Sequence, residues 1–260
     1  MGTRSTPARL VMLVYGFLAY AAFIACFLYL VFFLADAPLP YTVESGVRVG
    51  WPLALTIDLA LLALFGVQHT IMARSGFKRA WTRILPEPIE RSTFVLATVV
   101  CLTVIMLFWS PIAGHLWQVE APWLRGLLWC VQGVGWVMVL ASSFLIDHAE
   151  LFGVSQVIAH LRGTPLPSRP FQTPLLYRYV RHPMMLGMLL ALWSTPELTF
   201  SRLAFATGFT VYILLGVRIE ERGLVETLGD DYRRYQRRVP QLLPRLAPRR
   251  RAAAPTTRGV

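Results

Sequence analysis

Residues 177–183, Y-R-Y-V-R-H-P, bring two tyrosines, two arginines and a histidine to a proline, and two adjacent carboxylates, Glu220 and Glu221, follow later in the chain. Pro183 is placed to open a helix, because the first helical position loses nothing when it lacks an N–H. A helix start at His182 and Pro183 offers free N–H groups and a positive dipole end, which suit a carboxylate. Tyr177 and Tyr179 supply aromatic faces that attract a cation through the ring quadrupole. Glu220 and Glu221 can bind hydroxyl groups or offset positive charge. Carboxylate, cation and diol are the polar parts of S-adenosyl-L-methionine. The same residues also read as charged helix caps at a membrane interface, and their types alone leave both readings open.

Other ionisable groups lie in or beside apolar runs, where charge is costly and function is the first hypothesis. Asp58 and His69 stand about three turns apart on one helix face. Hydrogen bonds between helices explain them equally well. His148 and Glu150, in D-H-A-E-L-F-G, fall where an apolar run ends, and interfacial placement accounts for them without chemistry. A haem held by His69 and His148 is an alternative of another class. Cys26, Cys101 and Cys130 sit inside apolar runs without metal-ligand spacing, so no metal site is expected. No nucleotide fingerprint is present either: G-V-G-W-V-M (133–138) lacks the third glycine and sits in an apolar run.

The elements that must position these residues are apolar. The chain has 260 residues, of which 55% are hydrophobic, and a net charge of +11. That composition points to a membrane protein with basic loops, and no soluble fold with a basic face is visible to suggest nucleic acid. Runs at 10–34, 51–72, 93–109 and 124–146 are each long enough to cross a bilayer. The 74–91 loop holds Arg74, Lys78, Arg79, Arg83 and Arg91, whereas the loops on either side are poor in Lys and Arg. The positive-inside rule then places the N-terminus and the 74–91 loop in the cytoplasm. Two shorter apolar pieces, 183–194 and 200–217, are broken by Thr195, Pro196 and Glu197 and read as a helical hairpin returning to the cytoplasm. The expected fold is all-α: a polytopic integral membrane helical bundle of four spans plus a C-terminal helical hairpin, with no Rossmann domain. Residues 1–146 form the scaffold, 147–244 the catalytic region beginning with a polar loop, and 245–260 a basic disordered tail.

The motif Y-x-x-x-R-H-P-x-x-x-G, followed by E-E-x-x-L-x-x-x-x-G-x-x-Y-x-x-Y-x-x-x-V-P-x-x-x-P, resembles the isoprenylcysteine carboxyl methyltransferase superfamily. V-Q-H-T-I-M-A-R (67–74), D-H-A-E-L-F-G (147–153), F-Q-T-P-L-L-Y-R-Y-V-R-H-P (171–183) and R-I-E-E-R-G-L (218–224) are similar to the bacterial methanethiol S-methyltransferases. That family is akin to a membrane family of nitrogen-oxide metabolism. The resemblance implies an enzyme of the bacterial inner membrane, termini cytoplasmic, that methylates a small volatile thiol with S-adenosyl-L-methionine to give dimethyl sulfide. It places cofactor contacts on Tyr177, His182, Pro183, Met184, Met185 and Glu220, and on the segment 169–172. The residue reading adds Tyr179 and Glu221, and Gly187 completes the motif. Met185 stands where the prenylcysteine enzymes have Tyr, and Gly216 where they have a substrate-binding Arg. Both departures weaken the case for a prenylcysteine carboxylate and leave room for a small neutral thiol, with another thiol or that carboxylate as alternatives.

Sulfur methylation needs a thiolate near the sulfonium methyl, and an alkyl thiol is mostly protonated at neutral pH. His148 heads the candidate bases, followed by His69 and Glu150. Arg181 or Arg218 can instead stabilise the thiolate.

Overall fold

The computed structural model describes residues 6–167 and 171–244. The expected basic tail and Arg169 lie outside the described residues. The chain runs α1 (Thr6–Leu34), α2 (Trp51–Ala73), α3 (Ser75–Trp81), α4 (Glu90–Phe108), β1 (His115–Gln118), α5 (Pro122–Ile146), α6 (His148–Leu151), α7 (Val154–Arg162), α8 (Pro183–Trp193), β2 (Glu197–Thr199), α9 (Phe200–Leu228) and α10 (Asp230–Arg238). Five of these helices are long and apolar enough to cross a membrane: α1, α2, α4 with its preceding turn, α5 and α9. The shorter α8 forms the other arm of the hairpin with α9. The protein is a polytopic membrane helical bundle, as the apolar runs require.

Bundle packing follows from small residues and aromatics. Phe33, Ile105, Trp109 and Phe205 meet in the core between α1, α4 and α9. Two polar groups inside the bundle find partners on neighbouring elements. Asp58 accepts from the Ser110 backbone N–H at 2.9 Å, and His69 Nδ1 lies 3.2 Å from Thr98 Oγ1 on α4. Helix α8 lies along α5 at a point where two glycines remove the side chains between them. A Cβ on Gly135 would sit 2.6 Å from Gly187 O, and one on Gly187 would sit 2.6 Å from Gly135 O. This crossing fixes where the N-terminus of α8 emerges. It also gives Gly187 a packing place in the bundle.

Three features depart from the sequence expectation. First, the polar loop expected after residue 146 contains α6 and α7, and α7 packs Val157 into the notch at Gly16 of α1. Gly153, which joins the two, has φ +86 and crowds Ser92, so only glycine sits there unstrained. Second, the all-helical bundle carries a two-stranded antiparallel ribbon, with Trp117 opposite Leu198 and Gln118 opposite Glu197. The hairpin tip therefore docks onto the α4–α5 loop, with Val119 N–H donating to Pro196 O at 2.8 Å. Third, this end is locked by a buried ion pair. Arg202 Nε lies 3.3 Å from Glu44 Oε1, and its Nη1 donates to Leu34 O at 2.7 Å and to Thr195 Oγ1 at 3.1 Å. Thus the tip reaches the end of the bundle opposite the 74–91 loop.

Because no side chain flexes away at the α5–α8 crossing, Gly135→Ala and Gly187→Ala should each lower stability by about 1–3 kcal/mol. Thermal unfolding in detergent measures this, and an unchanged midpoint would mean the helices can part without penalty.

Candidate active site

The site is built on a helix start and a carboxylate pair. His182 is the N-cap of α8, Pro183 takes the first helical position, and no side chain caps the helix. The positive end of α8 thus keeps its donors for a ligand. His182 is buried, and its Nε2 lies 3.0 Å from Glu221 Oε1 on α9. Its Nδ1 lies 3.7 Å from Glu220 Oε2, beyond hydrogen-bond distance. Glu220 and Glu221 are consecutive on a helix and therefore point about 100° apart. Glu221 turns inward and is buried, while the Glu220 side chain is half exposed.

Arg181 grips the inner carboxylate. Its Nε donates to Glu221 Oε1 at 2.6 Å and its Nη2 to Oε2 at 3.1 Å. Nη1 donates to the carbonyls of Gln236 at 3.1 Å and Val239 at 2.5 Å. The Gln236 amide adds a fourth donor to Glu221, at 3.1 Å to Oε2. The backbone continues the closure, with Arg181 N–H on Pro240 O at 2.9 Å and His182 N–H on Gln241 O at 3.1 Å. Tyr235 Oη donates to Tyr177 O at 2.5 Å. Burial pushes the Tyr235 phenol up to about 12, with Arg181 opposing and Glu221 adding. Tyr177 is also raised, by burial first and then by the charge of Glu220 and by Tyr235. Both phenols are therefore neutral donors at physiological pH.

The structure brings Tyr177, Arg181, His182, Glu220 and Glu221 together at the start of α8, with Met184 and Met185 partly exposed in its first turn. Tyr179 is exposed beside them. Others stand apart. His69 packs between Phe65, Phe94 and Tyr212 within the bundle. Glu150 sits on α6 within electrostatic reach of Arg91. Arg218 is exposed on α9 and forms no ion pair among the described residues. His148 bridges helices: Nε2 lies 2.8 Å from Tyr20 Oη, Nδ1 lies 2.8 Å from Ser143 Oγ, and its ring stacks on Phe144 at 4.0 Å. Helix α5 links it to the cluster, since the Ser142 carbonyl, next to Ser143, accepts from Tyr177 Oη at 3.4 Å. Among the described residues, no group of three or more His, Cys, Asp or Glu side chains is disposed to hold a metal ion.

Comparison with known proteins identifies the family. Residues 58–246 match the family described as NnrU protein. A methanethiol S-methyltransferase of Pseudomonas deceptionensis is 45% identical over 254 residues, covering 95% of this chain and 97% of its own. One from Mycobacterium tuberculosis is 44% identical over 236 residues, covering 91% and 97%. The chain belongs to the NnrU family and, within it, to the methanethiol S-methyltransferases. A Nurim from Xenopus laevis is a more distant relative, 32% identical over 194 residues, with 71% of this chain and 68% of that protein covered. No solved structure matches the chain significantly.

In this methyltransferase the cluster includes residues that the site reading passed over: Gln236, Tyr235 and the carbonyls of Val239 and Pro240. Their signal was the Y-x-x-Y-x-x-x-V-P half of the motif, which closes the site from behind. Removing the Arg181 guanidinium leaves Glu221 buried without its cationic partner, held only by His182 and Gln236, so Arg181→Ala should destabilise the protein by about 3–5 kcal/mol. Arg181→Lys should recover part of this, since it restores charge without the bidentate fork. Denaturant unfolding of both variants checks the order.

His148 gives a pH prediction. Burial pushes its imidazole below the usual value, and the Asp147 carboxylate partly opposes. The unfolded chain then binds more protons than the native one between the two pKa values, so stability falls as pH drops below about 6.5. His148→Gln should flatten that acid limb in unfolding midpoints taken from pH 7 to pH 5, and an equally steep limb would assign it to other groups.

Proposed function

We propose that the protein transfers the methyl group of S-adenosyl-L-methionine to methanethiol, giving dimethyl sulfide. The observation that carries this reading is the 45% identity, over 95% of the chain, to a methanethiol S-methyltransferase. A methyltransferase requires a methyl donor, and the chemistry of the cluster fits this one. The uncapped start of α8 suits its carboxylate, and Glu220 and the Tyr177 face suit its positive charge. When bound, the cofactor supplies an electrophilic methyl on a cationic sulfur.

The chain's own residues bind, orient and exclude water. Charge is cancelled when thiolate meets sulfonium, so an enclosed site in an apolar bundle favours the transfer over a wet one. Of the two candidate arginines, Arg218 forms no ion pair among the described residues and is available to a thiolate, whereas Arg181 is committed to Glu221 and two carbonyls. His148 can accept the thiol proton only by giving up its bond to Tyr20 or Ser143, since both ring nitrogens are engaged. The same engagement leaves His148 no free nitrogen for a haem iron. Basic charge in the 74–91 loop supports cytoplasmic termini in a bacterial inner membrane. A membrane-embedded path would admit an apolar thiol and release an apolar product through lipid.

The decisive assay is headspace gas chromatography of membranes given methanethiol with and without S-adenosyl-L-methionine. Cofactor-dependent dimethyl sulfide is expected. Binding of S-adenosylhomocysteine without product would retain the cofactor and overturn the acceptor. His182→Ala and Glu220→Ala should each weaken S-adenosylhomocysteine binding roughly tenfold or more while the protein stays folded. Wild-type affinity in either would remove that residue from the cofactor site.

A further inference from the structure

Glu221 has no acceptor capacity left for a ligand. Arg181 Nε and His182 Nε2 meet Oε1 at 2.6 and 3.0 Å, and Arg181 Nη2 and the Gln236 amide each meet Oε2 at 3.1 Å. A carboxylate held by a bidentate guanidinium is ionised and offers only acceptors. The hydrogen in the His182–Glu221 contact therefore belongs to the imidazole. A neutral imidazole carries one N–H, so placing it on Nε2 leaves a lone pair on Nδ1. That lone pair faces Glu220 Oε2 at 3.7 Å, acceptor against acceptor.

We infer that Glu221, held by Arg181 and Gln236, is a positioning residue that fixes His182 in its Nε2–H tautomer, so that Nδ1 and Glu220 together receive a cationic donor. The inference rests on the reading of this cluster as the cofactor site. It deepens that reading by naming the end of the cofactor received there. The α-ammonium of S-adenosyl-L-methionine is a cationic N–H donor, and its α-carboxylate suits the adjacent uncapped start of α8. One histidine and one carboxylate on one side, and helix N–H groups on the other, then read the amino-acid end as a zwitterion. Glu221 itself stays behind the His182 ring and does not touch the ligand. The adjacent acids thus divide the work: Glu220 touches the ligand, and Glu221 sets the proton position on His182.

The test is nitrogen NMR of the full-length protein in lipid nanodiscs with 15N-labelled histidine. His182 is assigned among the five histidines by the signal lost in His182→Asn. The expected spectrum at neutral pH shows a protonated Nε2 and an unprotonated Nδ1, and added S-adenosylhomocysteine shifts chiefly Nδ1. An Nδ1–H tautomer or an imidazolium in the ligand-free wild-type protein would overturn the inference. Glu221→Gln should populate the Nδ1–H form and weaken S-adenosylhomocysteine binding roughly tenfold, whereas Glu221→Asp, which keeps a charged acceptor, should retain the Nε2–H form. An unchanged tautomer in Glu221→Gln would reduce Glu221 to a structural anchor. The ligand-free spectrum decides the tautomer by itself. A wild-type protein that shows Nε2–H but does not bind S-adenosylhomocysteine would instead sink the cofactor reading.

Discussion

A carboxylate enclosed at the base of a helical hairpin is the constraint around which the candidate site of this protein is arranged. Burying Glu221 costs several kcal/mol in desolvation unless its lone pairs are met. The chain meets them from two other places: Arg181 and His182 at the start of α8, and Gln236 on α10. The requirement is mutual. Arg181 in turn needs the carbonyls of Gln236 and Val239, which exist in position only when the last turn of α10 has closed. Satisfying one charge thus assembles the whole cluster, and the half-exposed Glu220 is left pointing outward as the free acid.

The bundle's contribution is to hold the start of α8 still. That helix leans on α5 through the Gly135–Gly187 contact, where backbone meets backbone and no rotamer can adjust. Its arm of the hairpin is short, 11 residues against the 29 of α9. At 1.5 Å per residue it spans only about 17 Å. The extended stretch through β2 helps make up the difference, and it is tied down by β1 and by the Arg202–Glu44 pair. The far end of the molecule therefore supports the near end. If the tip slipped, α8 would slide along α5 and carry His182 away from Glu221.

What the sequence revealed follows the range of the forces involved. Span number came from unbroken apolar runs, because lipid solvation is decided residue by residue within one segment. The R-H-P and E-E stretches stood out because charge beside apolar helices is rare, and the structure does join them. Shorter and longer-range features were hidden. The four- and three-residue strands pair segments far apart in sequence, and the nine residues of α7 carry too few turns for a periodic signal. Gly187 belongs to the same short motif as His182, yet its role is set by what lies across from it on α5. His148 illustrates the same limit. Its position at the end of an apolar run suggested an open base, whereas Tyr20 and Ser143 occupy both nitrogens from two other helices.

The two adjacent glutamates show why residue type alone could not separate the roles. Both carry the same acid and occupy neighbouring positions, so any reading by composition treats them as a pair. A helix turns about 100° per residue, and that rotation alone places one acid against Arg181 and the other beside the open edge of the cluster. Once the inner one is saturated, its charge is fully compensated and can act only through its neighbours. The outer one keeps an uncompensated oxygen 3.7 Å from an imidazole nitrogen. In the Nε2–H tautomer inferred above, two acceptors held that close would repel, and a cationic donor would relieve the repulsion. On that inference, the geometry that stabilises the fold at Glu221 also prepares, one residue away, a place for a cationic group.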